Sequence, residues 1–177
     1  MSKMFLNIRN VAALAVLGLS LTVTSCAKEK GCMTVESDNY NAAAAEDDGT
    51  CEPWRAKFLG AADAEASYTY QSATYKDNTH ANWTSVTSST PVGTKLKIKA
   101  GTADKLAAVV DYTIPSVVAF ILNGKVNASK IAIAAQQYQA ISYSGVGTYD
   151  KTAKTFELEL ATTDADNTTW KFNFKKD

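Results

Sequence analysis

Short segments in which apolar and polar residues alternate dominate the second half of this chain. The clearest segment is 155–160, where apolar residues alternate with Glu157 and Glu159, and the segment 168–174 repeats the pattern with three aromatic residues on one face. A period of two places successive side chains on opposite sides of a β-strand. If the two segments pair as a hairpin, their charged faces are complementary and their apolar faces form one wall of a core.

The same pattern predicts further strands upstream. They are expected at residues 54–59, 68–75, 83–86, 95–99, 117–122, 142–149 and in a strand that begins at Ile131. Asn123-Gly124 is a hairpin-turn signal, with residues 127–130 as the alternative. Residues 103–110 favour a short helix or loop, and an irregular run into a strand that ends before Pro115 is the alternative. Eight or nine short strands with short connections indicate an antiparallel meander. We expect an all-β domain that forms a small, lipocalin-like barrel, with a β-sandwich as the second choice.

The charge balance of the chain argues against one class of partner. The 177 residues include 18 basic and 18 acidic side chains. Lys3 and Arg9 lie near the N-terminus, and the part of the chain from Cys26 onward holds 16 basic and 18 acidic residues. Because binding to phosphate groups requires a concentrated basic surface, we expect no nucleic-acid partner.

The first 26 residues are typical of an export signal. Lys3 and Arg9 precede an apolar run at residues 11–23, and small residues follow it. The run has 13 residues, fewer than the roughly 20 that a membrane-spanning helix needs. An uncleaved anchor or a buried helix is the alternative interpretation.

The stretch Val23-Thr24-Ser25-Cys26 resembles the lipobox of bacterial lipoproteins. The resemblance implies that residues 1–25 are a signal peptide, that Cys26 receives lipid, and that the protein is attached to a membrane of the cell envelope. Ala27 after the cysteine favours the outer membrane by the same resemblance, with its periplasmic and surface faces both open.

The chain has three cysteines: Cys26, Cys32 and Cys51. An odd number in an exported protein leaves one thiol to explain. If lipid occupies Cys26, the other two can form a disulfide in an oxidising compartment. Such a bond would close a loop of about 20 residues and stabilise the fold by roughly 3 kcal/mol. Metal ligation by these two cysteines with the single histidine, His80, is the alternative.

Between these two cysteines lies the most specific motif of the chain. It comprises Gly31-Cys32, Asn39-Tyr40-Asn41 and Asp47-Asp48-Gly49-Thr50-Cys51. This resembles a cysteine-flanked repeat in exported proteins of Bacteroidetes, especially Flavobacteria. The sequence departs from the repeat at Thr34, where an aspartate is usual, and at Val35 and Ala42, which replace prolines. The pattern 145–151 and the alternating C-terminal segments also resemble small flavobacterial lipoproteins, and this supports the fold.

The acidic loop offers oxygen ligands for a hard cation. They belong to Asp38, Asn41, Asp47 and Asp48. Calcium prefers such carboxylate and amide oxygens. The alternative is a disulfide-closed module whose acidic turns need no ion, and apart from calcium no cofactor is expected.

The sequence thus divides into a signal peptide at 1–25, a lipidated tether and module at 26–53, and a β-domain at 54–177.

The residues of the β-domain do not indicate catalysis. His80 is the only histidine, and a pairing with Asp77 would still require a nucleophile that no motif marks. Glu157 and Glu159 fall on the expected solvent face of a strand. No phosphate-binding loop or nucleophile elbow occurs in the sequence. We therefore expect that this protein is not an enzyme.

Two functions remain open at this stage. In the first, the protein is a structural or interaction component of the outer membrane surface. In the second, the barrel binds a small apolar or glycan ligand, for which Tyr68, Tyr70, Tyr75 and Trp83 could form a stacking platform. The many bulky core residues of segments 155–160 and 168–174 favour the first function. A cavity of more than a few hundred cubic ångströms inside the barrel would favour the second.

Overall fold

The computed structural model describes residues 28–80, 82–86, 93–114 and 117–177, and for 117–119 it describes the backbone alone. The predicted signal peptide and Cys26 lie outside the described residues. Within these ranges the chain forms strands and two 3₁₀ helices, Trp54–Lys57 and Ala61–Asp63, and no α-helix.

The described residues form eleven strands. In chain order they are β1 (Lys30–Gly31), β2 (Glu46–Asp47), β3 (Ala66–Lys76), β4 (Thr84–Ser85), β5 (Lys95–Ala100), β6 (Ala107–Ile114), β7 (Val117–Asn127), β8 (Lys130–Tyr138), β9 (Ile141–Asp150), β10 (Thr155–Thr162) and β11 (Thr169–Lys176).

Eight of these strands form a closed antiparallel barrel, which confirms the predicted fold class. Strand β3 and strands β5 to β11 follow one another around the barrel in chain order, and β11 pairs with β3 to close it. The short strand β4 pairs with the upper part of β3 at Thr74 and Tyr75. We call the end of the barrel where β3 begins its lower end, and the end where β3 stops its upper end.

A β-bulge in β3 keeps the apolar side chains inside the barrel. Tyr70 lies opposite Phe174 and Ser72 lies opposite Asn173, so Gln71 is an extra residue on β3. An extra residue reverses which face the following side chains occupy. Ala73, beyond the bulge, is buried, whereas Ser72 is exposed.

Aromatic rings fill the barrel interior. Phe156, Leu158 and Phe174 have no exposed surface, and the register places Leu158 of β10 between Gly147 and Phe172 of the neighbouring strands. A Cβ atom at Gly147 would overlap the Phe156 ring. The glycine therefore provides the space that the ring occupies, and close packing of this kind is sensitive to single methyl groups.

The segment after the first 3₁₀ helix closes the lower end of the barrel. Phe58 and Leu59 are 0% and 2% exposed, and the Phe58 ring contacts Tyr149 and Phe156. The Tyr68 hydroxyl donates a hydrogen bond of 2.7 Å to the Phe58 carbonyl oxygen.

The Lys176 ammonium group also holds this segment, residues 58–59, which we call the lower plug. It donates hydrogen bonds to the carbonyl oxygens of Lys57 and Leu59 at 2.7 and 2.8 Å. Burial, with a further contribution from Lys154, lowers the pKa of Lys176. The last barrel strand thus binds the segment that precedes the first.

Three sequence predictions need correction. Residues 54–59 form a 3₁₀ helix and the lower plug instead of a strand, because Phe58 and Leu59 enter the barrel. The Asn123-Gly124 pair lies within β7, and the alternative turn at 127–130 connects β7 to β8. Residues 102–106 are a loop that leads into β6 (Ala107–Ile114), so no helix forms there and the alternative of an irregular run into a strand is confirmed.

The predicted disulfide between Cys32 and Cys51 is present and closes the N-terminal module, residues 28–53. Within the module, β1 and β2 form a two-stranded parallel sheet. Ion pairs of Asp38 with Lys57 and of Glu52 with Lys151 connect the module to the lower end of the barrel.

Candidate functional site

An aromatic hollow of about 190 Å³ lies inside the upper mouth of the barrel. Its lining residues come from β6, β7, β9, β10, β11 and the loop before β11, and they are Tyr112, Phe120, Ile141, Tyr143, Leu160, Thr162, Asp164, Trp170 and Phe172. Barrel mouths are common ligand sites, because strands from all sides contribute side chains to one concave surface.

Ring contacts hold the walls of the aromatic hollow in place. The Tyr112 ring centroid lies 5.0 Å from that of Phe120 and 5.3 Å from that of Phe172. The Phe120 ring also lies 5.9 Å from the Tyr143 ring. Trp170 stacks on Phe172 at 5.8 Å, and its ring centroid lies 5.2 Å from that of Tyr75. These are separations at which aromatic pairs attract each other, so the walls are preorganised.

Asp164 is the only charged side chain among the described residues that line the aromatic hollow. Its carboxylate accepts hydrogen bonds from the backbone amide and hydroxyl of Thr168 and from the hydroxyl of Thr162. Burial alone would raise the pKa of Asp164, but these hydrogen bonds outweigh burial and hold the pKa below its ordinary value. The hollow therefore carries a fixed negative charge.

The tyrosines of the aromatic hollow stay neutral well into the alkaline range. Burial, with a smaller effect of Tyr70, raises the pKa of Tyr112 to about 12. Burial also raises the pKa of Tyr143, and the Asp164 carboxylate adds to that effect. At neutral pH the hollow thus combines neutral ring surfaces with one carboxylate.

The structure does not bring the four predicted platform residues onto one surface. Tyr68 has no exposed area and belongs to the core. Tyr70 packs inside the barrel against Phe174. Tyr75 lies between Trp170 and His80 near the upper mouth. Trp83 is 40% exposed on the outside, with the Lys171 ammonium group 4.7 Å from its ring centroid.

The sequence predictions missed the residues of the aromatic hollow as a group. Trp170 and Phe172 were expected to be part of a packed core wall, and Tyr112 lies next to a segment expected to be a helix or loop. The alternation of residues 168–174 predicts which side chains point into the barrel. It does not predict at which residue along the strand the packed core ends and the hollow begins. Asp164 carries no sequence signal beyond a polar turn.

The four predicted calcium ligands engage other groups. Asp38 pairs with Lys57, and Asn41 donates to Glu29 while its side-chain oxygen accepts from the Ala43 amide. The carboxylates of Asp47 and Asp48 accept hydrogen bonds from the backbone amides of Gly49 and Thr50. In the part of the chain that the structure describes, no three acidic, histidine or cysteine side chains are grouped so as to hold a metal ion.

The structure also locates His80, for which we predict no catalytic role. His80 Nδ1 lies 2.7 Å from the Asp77 carboxylate and 2.8 Å from the Thr79 hydroxyl, in the turn after β3. The Thr79 hydroxyl also donates to Asp77, and this lowers the pKa of Asp77 to about 2, with His80 as the second cause. These contacts order a surface turn beside Tyr75.

Larger cavities lie outside the barrel, between its lower end and the N-terminal module. Two adjoining hollows of about 450 and 380 Å³ share Glu36, Leu106 and Lys125 as lining residues. We call this surface the module groove. Val35, at its edge, is 60% exposed, and Met33 nearby is 48% exposed.

Strands β7 and β8 separate above the module groove. Among the described residues their register covers only Lys125–Asn127 opposite Lys130–Ala132. Higher up, the Gln136 side chain replaces the missing strand pairing. Its oxygen accepts from the Asn123 amide at 2.9 Å, and its nitrogen donates to the Asn123 carbonyl oxygen at 2.6 Å.

The fold and its hollow define an all-β protein built on an eight-stranded up-and-down barrel with a disulfide-closed N-terminal module. Comparison with known proteins adds no relative: no family model, no curated protein and no solved structure matches the chain significantly. Residues described by the structure include no helix that is long and apolar enough to cross a membrane.

Proposed function

We propose that this protein is a non-catalytic lipoprotein of the outer membrane, anchored through Cys26, whose barrel serves as an interaction component at the membrane surface. The observation that carries this proposal is the packed barrel interior. Large side chains of β10 and β11 fill it, and Phe58 with Leu59 closes its lower end. The larger concave surface is the module groove on the outside, where a protein partner can reach it.

The position of the module supports the membrane attachment. Cys32 follows Cys26 by six residues, a tether of about 20 Å at full extension. The module contacts the lower end of the barrel through the Asp38–Lys57 ion pair. A lipid on Cys26 would therefore hold the lower end near the bilayer and direct the upper mouth away from it. Two or three acyl chains suffice for stable anchoring.

The anchor is tested by the variant Cys26→Ser. The serine hydroxyl cannot take the thioether-linked lipid, so the protein is expected to move from the membrane pellet to the soluble fraction of the envelope. Met33→Ser is the control, because this module residue is 48% exposed and the change leaves both Cys26 and the Cys32–Cys51 disulfide intact. Retention of the Cys26→Ser protein in the membrane pellet would refute the anchor.

The interaction role is tested by a photocrosslinking amino acid placed at Val35 in the module groove. Defined adducts of the envelope protein are expected upon irradiation of intact cells. The control position is Glu157 on the outer face of β10, which is solvent-exposed and does not line the module groove. The same adducts at both positions, or none at Val35, would contradict a specific partner at the groove.

A second candidate function is the binding of a small ligand at the upper mouth. The specific observation that favours it is the preorganised aromatic hollow with its single carboxylate. Its volume of about 190 Å³ lies below the range of about 300–1,000 Å³ typical of sites that enclose a whole drug-sized ligand. The hollow therefore suits a head group or a single ring, while the rest of the ligand stays outside the barrel.

A further inference from the structure

The aromatic hollow has the electrostatic character of a site for organic cations. An aromatic ring presents negative potential on its face, and methylated ammonium groups bind to clusters of such rings. Tyr112, Phe120 and Tyr143 contribute rings to the lining, and Asp164 adds a full negative charge. No lysine or arginine is among the described lining residues, so nothing in this lining opposes a bound cation.

The polar groups around Asp164 are largely paired with one another, which leaves mainly the Tyr112 and Tyr143 hydroxyls for a neutral sugar. A sugar ring requires directed partners for its hydroxyl groups, since unpaired buried hydroxyls are costly. The Asp164 carboxylate already accepts from Thr168 and Thr162, and the Thr162 hydroxyl is also within hydrogen-bond distance, 2.9 Å, of the Thr168 carbonyl oxygen. A methylated ammonium group requires no such partners. It needs only ring surfaces and a nearby negative charge.

We propose that the aromatic hollow binds the methylated ammonium head group of a small organic cation, with Asp164 as the counter-charge. This inference rests on the second candidate function and names its ligand class. The cation enters from the upper mouth, and the remainder of the ligand lies above the barrel. Because Asp164 is ionised throughout the neutral range, the site is available at ordinary envelope pH.

The test compares choline with the uncharged alcohol in which a quaternary carbon replaces the nitrogen. The two molecules have nearly the same shape, so a difference in affinity reports the charge. Calorimetry on the purified protein is expected to give at least about tenfold tighter binding of choline, within the range of a desolvated cation–π contact. In NMR spectra the Trp170 indole signal should shift, while Trp54 and Trp83 serve as internal references.

Asp164→Asn isolates the counter-charge. The amide oxygen can still accept from the Thr168 backbone amide, so the turn keeps its main hydrogen bond. Choline affinity is expected to fall about three- to tenfold, with little change for the uncharged alcohol. Asp150→Asn is the matched control, because Asp150 also accepts backbone hydrogen bonds, from Thr152 and Ala153, but lies at the lower end of the barrel.

The outcomes separate the ligand class from the function on which it rests. Equal affinity of the two molecules, with a shift of the Trp170 signal, would overturn the cation class and leave a ligand-binding hollow. Absence of saturable binding by either molecule would overturn both the cation class and the small-ligand function. Equal effects of the two aspartate variants on choline affinity would show that Asp164 is not the counter-charge.

Discussion

At the scale of single residues, space inside the barrel decides which side chains are allowed. Gly147 lies on β9 against the Phe156 ring, and its backbone does not require glycine for conformational reasons, since its φ is not positive. The requirement is steric. Packed interiors resist even one added methyl group, because neither a buried ring nor the strands around it can move far.

Gly147→Ala is therefore expected to destabilise the fold by about 1–3 kcal/mol through overpacking. The free energy of unfolding from urea titration gives the measurement. Gly60→Ala is the control, because a Cβ atom there would meet its nearest neighbour at 3.4 Å, an ordinary contact. Comparable destabilisation by both variants would show that the Phe156 contact is not the cause.

Tyr112 links the aromatic hollow to the pH dependence of stability. Its pKa is raised by burial from 10.0 to about 12, so the folded state keeps the phenol proton where the unfolded chain releases it. Its contribution to stability is fully present below pH 10 and is lost as the pH rises from 10 to about 12.

We expect Tyr112→Phe to make the free energy of unfolding fall less steeply over that interval than in the unmodified protein. Unfolding titrations at several alkaline pH values provide the comparison. Val35→Ala, a change at a module residue that is 60% exposed and carries no titratable group, is the control and should leave the slope unchanged. An identical slope for the Tyr112→Phe protein would contradict the assignment.

At the scale of elements, the separation of β7 and β8 is the main departure from a regular barrel. The Gln136 side chain occupies the two backbone groups of Asn123 that a neighbouring strand would normally bind. Unpaired strand edges are sites of local opening and of pairing with other chains. A single amide side chain therefore protects this part of the β7 edge.

Gln136→Ala is expected to accelerate hydrogen exchange of the Asn123 amide by up to about tenfold, in line with the net value of one hydrogen bond. Exchange measured by NMR provides the rate. Gln137→Ala is the matched control, because Gln137 is the adjacent, exposed residue. If both variants exchange alike at Asn123, the Gln136 bridge does not protect the strand edge.

The elements differ in how far the sequence could predict them. Strands β10 and β11 followed from alternation, because half-buried strands show their two faces directly in the sequence. The Asn123-Gly124 pair led to a wrong turn prediction, because this glycine is required for packing and not for a turn. A Cβ atom at Gly124 would overlap Ile131 across the hairpin. Residues 54–59 have strand-like apolar content, but contacts with distant residues such as Tyr149 determine their structure.

The residues of the candidate site were less predictable, because contacts between residues distant in the sequence determine where they lie. The Cys32–Cys51 bond followed from counting thiols, and the structure contains it. The aromatic hollow arises where several strands stop at one height, and this depends on barrel closure. The aromatic sequence neighbours of Tyr68 predict a ligand-binding residue, yet the Tyr68 hydroxyl donates a hydrogen bond to the Phe58 carbonyl oxygen in the lower plug.

At the scale of the whole molecule, the module and the barrel are expected to unfold separately when the disulfide is removed. Cys32→Ser with Cys51→Ser removes roughly 3 kcal/mol of stabilisation in the chain-entropy view, and the small module has little core of its own. Rapid proteolysis within residues 33–50 is expected, with the far-ultraviolet circular dichroism of the barrel retained. Loss of the barrel signal at the same temperature would show that the two parts fold as one unit.

Closure of the barrel by β3 and β11 also sets the order of events during synthesis. The two strands that complete the barrel are about a hundred positions apart, as in the hydrogen bond of Thr69 to Asp177, which spans 108 residues. Contacts between distant residues slow folding, because a long loop must close first. The barrel cannot close before β11 has been made, so the growing chain remains open, with its aromatic residues exposed to whatever chaperone accompanies it, until the final strand arrives.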